Sequence, residues 1–483
     1  MSWFDEHWLR LLFVAGYLAL LARHCWAAKQ SANNLGGFLI GGGKLGGWVI
    51  ALSFYATYVS TNSFVGQAGK SWDVGLIWYV KVTIYGLFSY LAWYLVAPRF
   101  FINARKYGSL TLPDFLESRY GSPALRRLSA VVILVASVVY LIAIYKGSAI
   151  ALEQFLGLNY HAAAVVIFLV VTAYTLAGGF RSVVLTDAVQ GLLMAIGAVA
   201  MLAAVLFKGG GLTVIVENLR EQDPELVSWQ GKMPLISIFG LALAGGMKLL
   251  VDPRQISRIY GLKDTGALRV AQIVAPLLII STYLCLLPIG ALAHALIPAE
   301  AITDSDSVTP YLLGTSQVLG PTLSSFFLLV LLSAAMSSLD SVLLVAASSV
   351  GRDLLIIADD DPQAVTRTRL WVLLISLASM LLALNPFGDI VEITAFSGSL
   401  YAACFLPTLV MGLYWKGGTA TGAVSCIWLG SATVIAWHFA KEAGWTIWHE
   451  VYVGLGVGIL VYVGVSLVTT TPALGERRGT DGV

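Results

Sequence analysis

Apolar runs of about twenty residues recur along almost the whole chain, each long enough to cross a bilayer as a helix. Thirteen are predicted, at 7–27, 45–68, 74–98, 128–153, 159–178, 184–206, 233–251, 268–297, 321–352, 367–385, 388–414, 419–439 and 450–469. This is the pattern of an all-α polytopic membrane protein with short connections. The run at 233–251 is the weakest, being short and carrying Gly245, Gly246 and Lys248. Two longer connections, 207–232 and 298–320, carry several carboxylates and are read as solvated loops rather than lid helices. The polar tail after about residue 470 is expected to be disordered.

Polar breaks in this pattern are where chemistry is sought, because a polar group at mid-bilayer is costly unless something meets it. The stretch 331–353, LLSAAMSSLDSVLLVAASSVGRD, places Ser333, Ser337, Ser338, Asp340 and Ser341 within one apolar helix. Ala334 precedes Ser338 by four residues, so its carbonyl points at the turn carrying that hydroxyl. Uncharged oxygens gathered this way suit a small hard cation such as Na+. The competing reading is that the serines back-bond to their own helix. The second run breaks into Ala-Thr-Tyr-Val-Ser-Thr-Asn-Ser at Ala56 to Ser63, which predicts a locally unwound helix. Unwound backbone at membrane depth is tolerated where it lines a cavity or binds something, the device of many secondary transporters. Asp187, one turn into the sixth run, is either a helix-start carboxylate favoured by the dipole or a cation ligand on the inward route.

Composition agrees with the pattern: of 483 residues, 58% are apolar and 12% charged, and mean hydropathy is +0.81. Soluble domains are about a quarter charged. The net charge of +2 gives no sign of a nucleic-acid partner. Lysines and arginines are strongly biased to one side of the predicted topology, twenty against six with three inside spans. The positive-inside rule then puts the N-terminus outside and the C-terminus in the cytoplasm. Cys25, Cys285, Cys404 and Cys426 lack CxxC spacing and read as lone thiols. Asp5 and Glu6 precede the first apolar run, so no cleavable signal peptide is expected. The glycine-rich run Gly36 to Trp48 fails the phosphate-loop pattern because leucine follows Lys44, and it reads as a tight turn. No His cluster, Ser/His/Asp set or metal-ligand spacing marks an integral-membrane enzyme.

Three phrases carry a family resemblance: FLIGGGKLGGWVIALSFYATYVS at 38–60, GGFRSVVLTDAVQ at 178–190 and SSLDSVLLVAASSVGRDL at 337–354. Together they resemble the sodium:solute symporter family, which includes transporters of proline, pantothenate, monocarboxylates, sialic acid and sugars. The resemblance covers nearly the whole chain. It implies a single transporter domain of the leucine-transporter type, a five-plus-five inverted repeat over 45–206 and 233–414. The runs 7–27, 419–439 and 450–469 would then be peripheral.

Carried over residue by residue, the resemblance implies a Na+ site from the carbonyls of Ala56, Val59 and Ala334 and the hydroxyls of Ser337 and Ser338. A second cation, Na+ or a coupled proton, would use Ser337, Asp187, Asp340 and Ser341. The solute would sit beside the broken spans, with Ser60, Thr61, Asn62, Ser63, Tyr145, Lys146, Gly245, Gly246 and Phe396 as candidates and Gly245–Gly246 as a break in the seventh span. Lys146 stands between two roles: facing the carboxylate of a solute, or joining an internal ion pair. Lys81 and Glu392 read as structural partners.

The implied function is Na+-coupled symport of a small organic solute, an amino acid or a carboxylate, into the cell by alternating access. Na+ is the coupling ion, one or two per cycle. The chain is read as a monomer in the plasma (bacterial inner) membrane. A proton-coupled or exchange carrier of the same fold is the alternative, and a sensory membrane protein is weaker.

Overall fold

The computed structural model describes residues 3–28, 41–314, 319–357, 361 and 363–469. The first half of the glycine-rich run and the polar tail lie outside the described residues. Among those described, the long elements are all helices, and the single β contact is a bridge between Leu45 and Leu262. Eleven helices are long and apolar enough to cross a membrane, from Leu76–Tyr107 to Glu450–Val468. The two other expected spans have different forms. The first is the helix Trp3–Ala28, 26 residues long. The second is broken, so that neither half reaches membrane length.

That break lies within the polar stretch. Helix Gly47–Tyr58 ends where Val59 turns extended (φ −77°, ψ 105°). The chain resumes through a wide π-type turn, Asn62–Gly66, into Gln67–Val74. Side chains satisfy part of the released backbone: the Asn62 amide donates to Ser60 Oγ and the Ser60 amide to Ser63 Oγ, both at 3.2 Å.

The seventh span is also interrupted, but not at Gly245–Gly246. Both glycines lie within the continuous helix Leu235–Val251, where their missing side chains admit the rings of Tyr85 and Phe88. The interruption is at Asp252 (φ −63°, ψ 125°), after which Pro253–Tyr260 starts a new helix. A residue before proline is pushed out of the α region, and proline itself sits well in a first helical turn. The Asp252 carboxylate caps that new turn, accepting from the Arg254 amide at 2.9 Å. The span therefore runs to Tyr260, and Arg254 and Arg258, assigned by hydropathy to a surface loop, are buried inside it.

Both long connections contain helix, contrary to the solvated-loop reading. Leu212–Gln222 buries Ile215 and Leu219, and Val308–Gly314 is buried nearly throughout. Leu212–Gln222 buries one face only and both helices are far shorter than a span, signals that span-length windows average away.

Burial separates centre from rim. In Pro321–Leu354 and Ile390–Tyr414, 89% of the most apolar stretch is buried, against 28% in Ala420–Glu442 and Glu450–Val468. Two glycines set the central packing. A Cβ on Gly398 would stand 2.4 Å from the Ala244 carbonyl, so Ile390–Phe405 lies directly on Leu235–Val251. One on Gly69 would stand 2.3 Å from the Ser305 carbonyl, which seats Ser305 and Asp306 on the second half of the broken helix, Gln67–Val74.

Candidate functional site

The serine-bearing helix Pro321–Ser348 passes beside the end of Gly47–Tyr58. Ser337 Oγ donates to the Ala56 carbonyl at 2.9 Å and lies 3.4 Å from the Ala334 carbonyl. Ala56, Val59, Ala334, Ser337 and Ser338 are all fully buried. Ser338 Oγ has no hydrogen-bond partner, and an unsatisfied buried hydroxyl costs about 1–3 kcal/mol. The Ser337 hydroxyl thus meets the Ala56 carbonyl while the Ser338 hydroxyl is left without a partner; neutral oxygens of this type are what hard cations take. Among the described residues no group of three or more His, Cys, Asp or Glu side chains could hold a metal ion.

One turn toward the arginine-rich face, Asp187 and Ser341 are brought together, and a third residue lies between them. Arg258 Nη2 donates to Asp187 Oδ2 at 2.7 Å and to Ser341 Oγ at 2.5 Å, while its Nε donates to Ser53 Oγ at 3.1 Å. Ser53 Oγ in turn donates to Asp187 Oδ2 at 2.7 Å. Both Asp187 and Arg258 have fully buried side chains. Asp340 accepts from the Tyr174 hydroxyl and from Ser341 Oγ, the latter at 3.1 Å. The guanidinium thus holds two of the residues expected around a second cation. Nothing local in the sequence pairs Asp187 with Arg258; Asp252–Pro253 was the available sign that Arg258 lies inside a span.

Between the two interrupted helices is a small cavity of about 20 Å³, room for roughly one water. Tyr58, Tyr85, Tyr140 and Tyr283 line it, with Asn62, Gln67, Lys248, Arg254, Thr394 and Gly245. Of the nine expected solute residues, only Asn62 and Gly245 reach this wall. Ser60 and Ser63 serve the helix break, and Ser63 Oγ also meets Tyr283 Oη at 2.7 Å. Thr61 packs its methyl beside Gly147. Tyr145 bonds Ser376 at 2.7 Å, and the Phe396 ring packs on His438, centroids 4.6 Å apart. The four tyrosines lie in the middle of apolar runs, where an aromatic ring is indistinguishable from core packing, while Lys248 falls near the end of the run 233–251 and Arg254 just beyond it.

Lys146 also lies away from the cavity. Its Nζ donates to Asp306 Oδ2 at 2.5 Å, with Asp304 Oδ2 at 3.3 Å and the Gly388 carbonyl at 3.3 Å. The Ile390 amide completes the cluster, donating to Asp306 at 3.1 Å. Lys70, on Gln67–Val74, pairs with Asp389 at 2.7 Å. Asp304 and Asp306 therefore tie their part of the connection to the spans beside it. Burial pushes the Asp306 carboxyl up to about 6, even though Lys146 pulls it down.

Comparison with known proteins places this geometry. The family model for the sodium:solute symporter family matches residues 38–430. The sodium/pantothenate symporter of Haemophilus influenzae is 29% identical over 97% of this chain and 95% of its own. The sodium/proline symporter of Staphylococcus aureus is 27% identical over 97% and 94%. Among solved structures, the substrate-bound outward-open state of a Na+-coupled sialic acid symporter matches with a TM-score of 0.78, covering 96% of this chain and 98% of that one at 18% identity; it shares the fold. The chain belongs to the sodium:solute symporter family, a multi-pass membrane protein that moves small organic solutes with Na+ as the coupling ion.

Proposed function

We propose that this chain carries an amino acid or a carboxylate into the cell with one Na+ per cycle, by alternating access. The ion is held by the Ala56, Val59 and Ala334 carbonyls and the Ser337 and Ser338 hydroxyls. The observation that carries this is the orphaned Ser338 hydroxyl, next in the chain to Ser337, whose own hydroxyl reaches the Ala56 carbonyl. A buried hydroxyl left without a partner is explained if its partner is the transported ion. The stoichiometry rests on Arg258, which already supplies positive charge to Asp187 and Ser341. Two interrupted helices opening the segments 45–206 and 233–414 support the five-plus-five repeat, with 7–27, 419–439 and 450–469 peripheral. Thirteen spans, the N-terminus outside, the C-terminus in the cytoplasm and a monomeric carrier complete the proposal. In proteoliposomes, solute uptake should require an inward Na+ gradient and stop when Na+ is replaced by choline; equal uptake in choline would refute it.

The solute alternates between faces as the segment around Asp304–Asp306 closes over and leaves the second half of the broken helix. In the closed arrangement Asp306 titrates near 6, whereas once hydrated it returns to the ordinary value of about 3.9. The closed form then binds more protons, so its advantage grows as pH falls from about 6 toward 4 and is lost as pH rises through 6. A cysteine placed at Asn62 should react more slowly with a membrane-impermeant thiol reagent at pH 5 than at pH 7.5, each rate corrected for thiolate fraction. Equal corrected rates would count against Asp306 as part of the closure.

A further inference from the structure

The cavity wall holds two cationic side chains, Lys248 and Arg254, and among the described residues only Arg254 has a carboxylate partner. Lys248 is 5% exposed, donates to the Thr394 carbonyl at 3.0 Å, and stands 4.2 Å from the centre of the Tyr140 ring. Among the described residues no carboxylate lies within ion-pair distance of it. Arg254 shares the same ring at 4.0 Å. Its partner Asp252 uses both carboxylate oxygens on that guanidinium, and Arg254 Nη1, buried, has no hydrogen-bond partner. Behind the wall, Lys81 is fully buried and donates to Gln67 Oε1 at 2.9 Å, again with no carboxylate in reach. No aspartate or glutamate lines the cavity itself.

A buried cation without a counter-ion is costly inside a membrane protein and marks a place where an anion arrives. We propose that the solute is an organic monocarboxylate without an ammonium group, its carboxylate received by Lys248 with Arg254 Nη1 beside it. This rests on the symport reading above and narrows it: a zwitterionic amino acid would bring an ammonium to a wall that offers it a lysine and an arginine and no carboxylate. The tyrosine hydroxyls and Asn62, whose Oδ1 is buried and unpartnered, suit hydroxyl or amide groups on the rest of the acid. The cavity is too small in this conformation to hold such a molecule, so binding accompanies opening. An anion also cancels the charge of one Na+, leaving the Na+ concentration gradient as the drive.

The test uses full-length purified protein, with thermal unfolding followed in saturating Na+ and in choline. The probes are propionate, lactate, pyruvate and pantothenate, their amides, and proline and alanine. At least one acid should raise Tm in Na+, and its amide and the two amino acids should not. In Lys248→Gln the half-saturating concentration of that acid should rise at least about 30-fold, while Lys248→Arg stays within a few-fold of wild type. The shift produced by Na+ alone should persist in Lys248→Gln, which shows that the variant is folded and keeps the ion reading separate. Absence of a Na+ shift in the wild type would strike the ion reading, not this one. Unchanged acid binding in Lys248→Gln, amides or zwitterions binding as well as acids, or no acid binding at all would overturn the proposal.

Discussion

Replacing Ser337 and Ser338 together with alanine should raise the Na+ concentration for half-maximal uptake by on the order of 100-fold. A hydroxyl facing a charged group contributes about 1.5–3 kcal/mol, and about 1.4 kcal/mol is a factor of ten. The single change Ser338→Ala separates an ion ligand from a packing residue. Without Na+ this hydroxyl is an unsatisfied buried group, so removing it should leave the protein as stable or slightly more stable. With Na+ at about one hundred times its Kd, the wild type gains about 2.7 kcal/mol from binding, and the variant should lose most of that gain. Thermal unfolding of the purified protein in sodium and in choline reads both arms. Equal destabilisation of Ser338→Ala in the two salts would remove the hydroxyl from the ion site.

The second large effect is expected at Arg258. Its guanidinium is fully buried against Asp187 at 2.7 Å, and removing one partner of such a pair costs about 3–5 kcal/mol. Arg258→Met should be severely destabilised, while Asp187→Asn with Arg258→Met should recover at least about half of that loss, a coupling that a double-mutant cycle measures. The single variant also leaves Asp187 and Ser341 facing a site without its cation. Added Na+ should stabilise it beyond the wild-type response, with a second, weaker phase. Additive effects in the cycle, or a Na+ response identical to wild type, would show that Arg258 does not substitute for an ion there.

Much of the fold was legible because hydropathy is a local property. A helix that faces lipid or a dry core must be apolar over about twenty residues. The break near Val59 was legible for the same reason: Ala-Thr-Tyr-Val-Ser-Thr-Asn-Ser supplies local hydrogen bonds that compete with helix, as Ser60 and Ser63 do. The seventh span misled because two glycines suggested a break that packing against Tyr85 and Phe88 explains otherwise. The real interruption was written in Asp252–Pro253, just past the point where the apolar window ended.

By itself the sequence determined the helical membrane architecture, the position of the first broken helix and the presence of small hydroxyl residues on the serine-bearing helix. Only the tertiary structure decided what each buried polar group meets. Lys146 and Lys248 look alike in an apolar run, yet one closes on Asp306 while the other has only a carbonyl and an aromatic ring. Asp187 gains Arg258, 71 residues away, through the close approach of two helices. The energy of a buried charge depends on neighbours within a few ångströms, and those neighbours come from packing between segments far apart in the chain.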